Sequence, residues 1–179
     1  VSPHDLEATY LPAFRATVME GHAESLMCAY NAIDGVPACA NKELLQDHLR
    51  RQWGFKGFVT SDCGAIQDFY SEKGHHFSAN AAAASAAALT AGTDISCGGE
   101  FAEGAVAAVK KGILPISVID TALGRLLTAR FRLGMFDPPA SVIYANIPFS
   151  EIDSPAHRAI ALRAARESIV LLKNRDHIL

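Results

Sequence analysis

Short apolar runs that alternate with helical patterns restrict the fold of this chain more than any other feature of its sequence. The apolar runs at residues 25–30, 58–61 and 93–97 have the length of short strands. The segments between them, 42–53 and 79–91, have helical patterns of apolar or alanine residues. Strands that alternate with helices in this way predict an α/β fold built around a parallel sheet.

Proline and capping residues set the predicted helix boundaries. Pro12 is expected to delay the first regular helix until residues 11–20, because proline disrupts a helix interior. Asn41 is the predicted N-cap of the helix at 42–53, and Ser78 is the predicted N-cap of the alanine-rich helix. Each predicted helix therefore begins shortly after a strand or a turn.

A proline-rich stretch divides the chain. It predicts a linker at 138–155, after a first α/β segment at 1–137. The segment 156–179 then reads as the beginning of a second α/β unit, with a helix followed by a buried strand at 168–172. The prolines that predict the linker are Pro138, Pro139, Pro148 and Pro155.

Charge and hydropathy exclude several classes of partner. The formal net charge of −3 gives no basic field for nucleic acid or anionic lipid, so neither nucleic acid nor a membrane is a predicted partner. No apolar run reaches the roughly 18 residues that span a bilayer. The chain starts at Val1 without a methionine, and we interpret it as an internal fragment of a longer protein, whose compartment the sequence leaves open.

Polar residues follow the predicted strands, and Asp62 is the most prominent of them. In parallel α/β folds the chemistry lies at the carboxyl ends of the strands. A carboxylate there can act as a nucleophile, but Asp62 could equally accept backbone N–H groups in a turn. For Tyr30 the alternative is a buried core tyrosine, and Asp94 is interpreted as a turn or supporting residue. The other residues placed at strand ends are Asn31 and Ser96.

The four cysteines allow several arrangements. Cys63 and Cys97 follow predicted strands on the same edge of the sheet, so either a disulfide or two buried thiols is compatible with the sequence. Pairing of Cys28 with Cys39 is less favoured. A zinc or Cys-His catalytic site that uses His75 or His76 is the least favoured alternative, and no metal site is predicted.

Several motifs, in a fixed order, carry a family resemblance. The chain resembles glycoside hydrolase family 3, whose members include β-xylosidases and β-glucosidases. This resemblance implies the C-terminal part of a (β/α)8-like barrel followed by the start of an α/β sandwich domain, with substrate bound between the two domains. The motifs are MCAYN at 27–31, DGVP at 34–37, WGFKGFVTSDC at 53–63, RLGMFD at 132–137 and AARESIVLLKN at 164–174.

The resemblance also implies roles for individual residues. Asp62 is similar to the catalytic nucleophile, which attacks the anomeric carbon and forms a covalent glycosyl-enzyme in a retaining mechanism. Tyr30 and Met27 match positions that flank the bound terminal sugar. Cys63 takes the position after the nucleophile, where β-glucosidases of the family commonly have tryptophan and β-xylosidase-like members often have cysteine. The acid/base residue is expected beyond Leu179.

The implied activity is therefore that of an exo-acting β-glycosidase. Its expected substrates are plant-type oligosaccharides or aryl glycosides, with β-xylosides favoured over β-glucosides, and no cofactor is expected. The isolated chain, without the missing barrel strands and the second domain, is expected to be nearly inactive and to associate through exposed sheet edges. The alternative is a non-catalytic, carbohydrate-binding or truncated barrel remnant.

Overall fold

The computed structural model describes residues 1–177 and has an α/β fold. It divides into two compact units, Val1–Met135 and a second unit from Phe136 onward. The last two residues of the predicted second-domain segment, at 178–179, lie outside the described residues. No helix in the described part of the chain is long and apolar enough to cross a membrane.

The first helical region begins earlier than the sequence predicted. It runs through α1 (Pro3–Asp5), the π-helical turns Leu6–Tyr10 and α2 (Leu11–Met19). The first longer α-helix, α2, nevertheless begins at Leu11 as predicted, and the unpredicted part is the short α1 turn and the π-helical turns before it. The wider i to i+5 turns lie directly before Pro12, and such turns lack the i to i+4 bond that proline would interrupt.

The sheet that carries the candidate site consists of β1 (Ser25–Cys28) and β4 (Phe58–Ser61). The two strands are parallel, and Met27 is paired with Thr60 in the register. Ile95 forms a single parallel bridge to Thr60, so the third predicted strand is reduced to one bridge residue. These elements agree with the α/β class, whereas the assignment to a particular part of an eight-stranded barrel stays a prediction.

A short hairpin and a helix connect β1 to β4. The hairpin pairs β2 (Ala32–Ile33) with β3 (Val36–Pro37) in antiparallel fashion. The helix Glu43–Gln52 has π-type hydrogen bonding and buries Leu45 and Leu49. Asn41 caps this helix as predicted, because its Oδ1 accepts the Leu44 N–H at 3.0 Å.

The alanine-rich helix α3 (Ala81–Ala91) is capped by Asn80, and the predicted cap Ser78 is wrong. The Asn80 Oδ1 accepts the Ala83 N–H at 3.1 Å, which is the bond that an N-cap makes three residues into a helix. Ser78 lies before this turn and cannot make that bond. The helices that follow are α4 (Val106–Lys110), α5 (Ile116–Arg132) and α6 (Pro155–Ser168), with a π-helical turn at Phe101–Ala105 before α4.

Two buried apolar clusters hold the first unit together. One lies between the β1–β4 sheet and the helices Glu43–Gln52 and α3, and the other lies between α3, α4 and α5. Small alanine side chains let α3 pack closely against both neighbours. The largest fully buried apolar side chains are Phe69, Ile66, Leu114 and Val59.

A buried ion triad lies at the amino end of β4. Asp94 Oδ2 accepts hydrogen bonds from Arg50 Nη2 at 2.6 Å and from the Val59 N–H at 2.8 Å. Asp94 Oδ1 accepts a bond from Arg125 Nη1 at 2.8 Å. Burial, the largest cause, lowers the pKa of Arg50; the Arg125 charge adds to this lowering, and the Asp94 carboxylate opposes it. The triad thus joins the helix Glu43–Gln52 and α5 to β4, the strand that directly precedes Asp62.

The sequence predicted that Asp94 lies at a strand end, on the same sheet edge as Asp62. The structure shows that this prediction is wrong. Asp94 precedes the bridge residue Ile95, so it lies where the third strand begins and not where it ends. Its backbone N–H donates to the Val59 carbonyl at 2.8 Å. Its side chain consequently bonds the beginning of β4, whereas Asp62 follows the end of β4.

In the second unit, the described residues up to 177 form α6, three short 3₁₀ turns before it and one after it. The turns before α6 are Pro139–Ser141, Ile143–Asn146 and Phe149–Glu151. The turn after it is Arg175–His177. The sequence predicted a buried strand at 168–172, and this is wrong for the described chain. Ile169 is 78% and Leu172 is 93% exposed, because no strand among the described residues pairs with this segment.

Candidate functional site

Asp62 directly follows the last residue of β4 and is half-buried. Its N–H donates to the Cys28 carbonyl at 3.0 Å, which fixes its backbone to the end of β1. Its Oδ1 accepts the Cys63 N–H at 2.7 Å. Asp62 therefore fits both interpretations of the sequence. Its carboxylate accepts a backbone N–H in a local turn, and it lies at the carboxyl end of a parallel strand.

Tyr30 lies next to Asp62. Its hydroxyl donates to the Cys63 carbonyl at 2.5 Å, and the residue is 46% exposed, so it is not a core tyrosine. Desolvation and then the negative charge of Asp62 raise the pKa of the Tyr30 hydroxyl above its ordinary value. The phenol is consequently protonated at neutral pH and acts as a hydrogen-bond donor. We call Tyr30, Asp62 and Cys63 the strand-end cluster.

Met27 lies on the same sheet face as the Asp62 side chain. It is paired with Thr60 in the parallel register, and side chains alternate along a strand, so Thr60 and Asp62 share a face. Met27 is therefore one strand across from Asp62 and nearer the amino end of the sheet. Its side chain is 53% exposed on that face. All four residues predicted for the site thus lie at one edge or one face of the sheet.

Two disulfides brace this edge of the sheet. Cys63 is bonded to Cys97 with a Cα–Cα distance of 4.3 Å, and Cys28 is bonded to Cys39 with a Cα–Cα distance of 5.1 Å. Both pairings considered from the sequence are thus present, including the less favoured one. The Gly64 N–H also donates to the Cys97 carbonyl at 2.7 Å. The two residues after Asp62 are therefore both bonded to Cys97, Cys63 through the disulfide and Gly64 through a backbone hydrogen bond.

The disulfides remove the chemistry that a Cys-His or zinc site would need. A thiolate is the nucleophile and the metal ligand, and no cysteine in the described chain is free. Among residues 1–177 no group of three or more His, Cys, Asp or Glu side chains is arranged to hold a metal ion.

We expect mild reduction to open the Cys63–Cys97 disulfide before the Cys28–Cys39 disulfide. Cys63 is exposed, whereas Cys28 and Cys39 are 3% and 0% exposed, and thiol exchange requires access to the sulfur. Timed treatment of the native protein with dithiothreitol, followed by alkylation and peptide mass spectrometry, should label Cys63 and Cys97 at least about tenfold faster. Unreduced protein should show no label at these four positions, and reduction in denaturant should label all of them. Equal rates for the two native pairs would contradict the prediction.

His75 contacts the strand-end cluster, which the sequence did not predict. Its Nε2 lies 2.8 Å from the Tyr30 backbone carbonyl. The sequence suggested His75 and His76 only as members of a zinc or Cys-His catalytic site. No spacing rule could have linked His75 to Tyr30, because the two are 45 residues apart and meet through a loop.

The family profile described as glycosyl hydrolase family 3 N terminal domain matches residues 1–129. A probable exo-1,4-beta-xylosidase, bxlB, of Aspergillus fumigatus is 44% identical over 177 residues, which are 97% of this chain and 23% of the relative. The chain thus spans about a quarter of the length of the curated relatives it matches.

Solved structures of the same family share this fold. One is a GH3 exo-beta-xylosidase (XlnD) in complex with a xylobiose aziridine activity-based probe, with a TM-score of 0.89 and 35% sequence identity. The superposition covers 99% of this chain and 23% of the xylosidase chain. A beta-glucosidase from Listeria innocua in complex with glucose gives 0.85 at 30% identity, over 100% of this chain and 24% of its own. Since the family profile matches well over half of its residues, this chain belongs to glycosyl hydrolase family 3.

Proposed function

We propose that this chain carries the nucleophile of a retaining, exo-acting β-glycosidase, and that Asp62 is that nucleophile. The observation that carries the proposal is the position of Asp62: a half-buried carboxylate at the carboxyl end of a parallel strand, held through its own backbone N–H and the neighbouring Cys63 N–H. Such a group has a fixed direction and supplies the carboxylate oxygen that a covalent nucleophile of this kind needs.

The proposed mechanism has two steps. The Asp62 carboxylate attacks the anomeric carbon of the terminal sugar, an ester bond forms, and the glycosidic oxygen leaves with a proton from an acid/base residue. Water, deprotonated by that same residue, then cleaves the ester and releases the sugar with its configuration retained. We place the acid/base residue in a second domain, so the chain of 179 residues by itself should be nearly inactive.

Tyr30 and Met27 are proposed to bound the sugar site. The Tyr30 hydroxyl donates to the Cys63 carbonyl, so the ring lies beside Asp62 and offers an apolar face. Met27 lies one strand across on the same face of the sheet and is open to solvent. A pyranose ring that presents its anomeric carbon to Asp62 would contact both side chains.

We propose a β-xyloside as the preferred substrate, from plant-type oligosaccharides. Cys63 occupies the position after the proposed nucleophile and is bonded to Cys97. This disulfide is more compact than the tryptophan that β-glucosidases of the family commonly have at this position. Relatives of similar sequence are named exo-1,4-beta-xylosidases, and solved structures of similar fold include beta-glucosidases. The proposed segments are a barrel portion at 1–137, a linker at 138–155 and the beginning of a second domain at 156–179.

The sugar preference has a direct test. Turnover of p-nitrophenyl β-xyloside and p-nitrophenyl β-glucoside by the complete gene product that contains this chain should favour the xyloside in kcat/KM. One hydroxymethyl group that does not fit is worth about 10- to 200-fold in such a ratio. A preference for the glucoside would overturn the proposed substrate and leave the proposed nucleophile standing.

The nucleophile is tested by covalent labelling. A 2-deoxy-2-fluoro-xyloside with an activated leaving group should form a stable ester, and peptide mass spectrometry should place the added sugar on Asp62. A label on a different carboxylate would refute the proposed role. Absence of both label and turnover in the complete gene product would favour a non-catalytic carbohydrate-binding protein.

A further inference from the structure

We propose that His75 is a positioning residue that aligns the Asp62 carboxylate through Tyr30. This inference rests on the proposed role of Asp62 as the nucleophile. His75 is not expected to touch the sugar or the reacting atoms. Its effect passes through a series of hydrogen bonds that begins at its imidazole and ends at a carboxylate oxygen.

Three short hydrogen bonds make up this series. His75 Nε2 lies 2.8 Å from the Tyr30 carbonyl, the Tyr30 hydroxyl donates to the Cys63 carbonyl at 2.5 Å, and the Cys63 N–H donates to Asp62 Oδ1 at 2.7 Å. Because a carbonyl can only accept, the proton of this first bond must be on Nε2. His75 therefore acts as a donor in either the neutral Nε2–H form or the charged form.

Tyr30 needs such a partner because it lies beyond the end of β1. The parallel ladder ends at the pair Cys28–Ser61, so sheet hydrogen bonds do not fix the Tyr30 backbone. Tyr30 is 46% exposed, so packing restrains it less than it would a buried residue. A hydrogen bond at its carbonyl restricts the backbone rotation that would carry the hydroxyl away from Cys63.

His75 is itself held in place by its loop. Its N–H donates to the Asp68 carbonyl at 2.6 Å, and the Gly74 N–H donates to the Ser71 carbonyl at 3.0 Å. A Cβ at Gly74 would overlap the Asp68 carbonyl oxygen, so only glycine permits this close approach. A half-buried imidazole on so constrained a backbone has a defined direction.

The adjacent His76 provides a matched control. It is exposed, and its φ of 53° lies in the left-handed region that asparagine tolerates. His75→Asn shortens the side chain and removes the bond to Tyr30, whereas His75→Gln keeps an amide N–H at nearly the reach of Nε2. His76→Asn changes the neighbouring residue in the same way without touching the series.

The experiment measures kcat and KM of all three variants in the complete gene product with an aryl β-xyloside. His75→Asn should lower kcat about tenfold, since a small misplacement of a reacting group has effects of this size, and it should change KM by a smaller factor, because Tyr30 also borders the proposed sugar site. His75→Gln should recover most of this loss. His76→Asn should match the unmodified protein, and all melting temperatures should agree.

Labelling with the 2-fluoro-xyloside separates the two proposals. If the label is on Asp62 and His75→Asn slows its formation, both stand. If the label is on Asp62 and His75→Asn behaves like His76→Asn, or if His75→Gln fails to recover activity, the positioning role is refuted and the nucleophile remains. If the label lies elsewhere, the proposed nucleophile fails, and with it the role of His75.

Discussion

Asp62→Asn and Asp62→Ala should each reduce turnover of an aryl β-xyloside by about 10⁴-fold or more, because loss of a covalent nucleophile has effects of this size. Neither side chain can form the ester. The asparagine keeps an oxygen that can accept the Cys63 N–H, which Asp62 Oδ1 accepts at 2.7 Å. Loss of activity in a normally folded asparagine variant would therefore be a chemical effect. Initial rates with the complete gene product measure it.

Azide should restore turnover to Asp62→Ala. The alanine leaves space for a small anion below the anomeric carbon, where azide can displace an activated aryl oxide. The product should be a glycosyl azide of inverted configuration, because only one displacement occurs. Nuclear magnetic resonance of the product identifies its configuration.

The control for this prediction is Asp68→Asn. The charge of Asp68 also raises the pKa of Tyr30, although less than desolvation and Asp62 do, so it is a second carboxylate close to the cluster. It follows no strand, and we expect its replacement to change kcat less than about threefold. Azide rescue of an Asp68 variant, with Asp62→Asn fully active, would reverse the assignment.

The parallel pairing and the position of Asp62 could be predicted because each depends on local sequence. The apolar run at 58–61 has the length of a buried strand, and the polar residues Ser61 and Asp62 predict its end. Parallel pairing with the run at 25–28 then brings both carboxyl ends to one edge. Local pattern was thus sufficient to place Asp62, Cys63 and Tyr30 at the ends of strands, whereas the roles expected of them came from the family resemblance.

Other features depend on contacts that no local pattern encodes. The bond from His75 to Tyr30 depends on a loop whose path follows from the close approach at Gly74. The direction of Asp94 depends on which residue of 93–97 forms the bridge, and a shift of one residue reverses a strand side chain. The expected strand at 168–172 failed because an apolar run forms a strand only beside a partner.

Asp94→Ala should be the most destabilising single substitution considered for this chain. It removes the acceptor from two arginines and from a strand amide, in a site where the Asp94 side chain is 1% and the Arg50 side chain 8% exposed. Removal of one partner of a buried ion pair lowers the free energy of unfolding by about 3–5 kcal/mol, because the remaining charge stays buried without a partner. The unpartnered Val59 N–H adds about 1–3 kcal/mol.

Asp94→Asn separates these two contributions, because its amide oxygen can still accept the Val59 N–H while the negative charge is lost. We expect this variant to be destabilised by about 3 kcal/mol, less than Asp94→Ala. Hydrogen exchange of the β4 peptide in the complete gene product reports local opening. A loss of about 3 kcal/mol should increase its exchange rate by about two orders of magnitude. Glu24→Gln is the control, because the Glu24–Arg132 pair is exposed, at 70% and 60%, and should contribute less than about 1 kcal/mol. Equal exchange in Asp94→Asn and Glu24→Gln would mean that the triad does not hold the strand that carries Asp62.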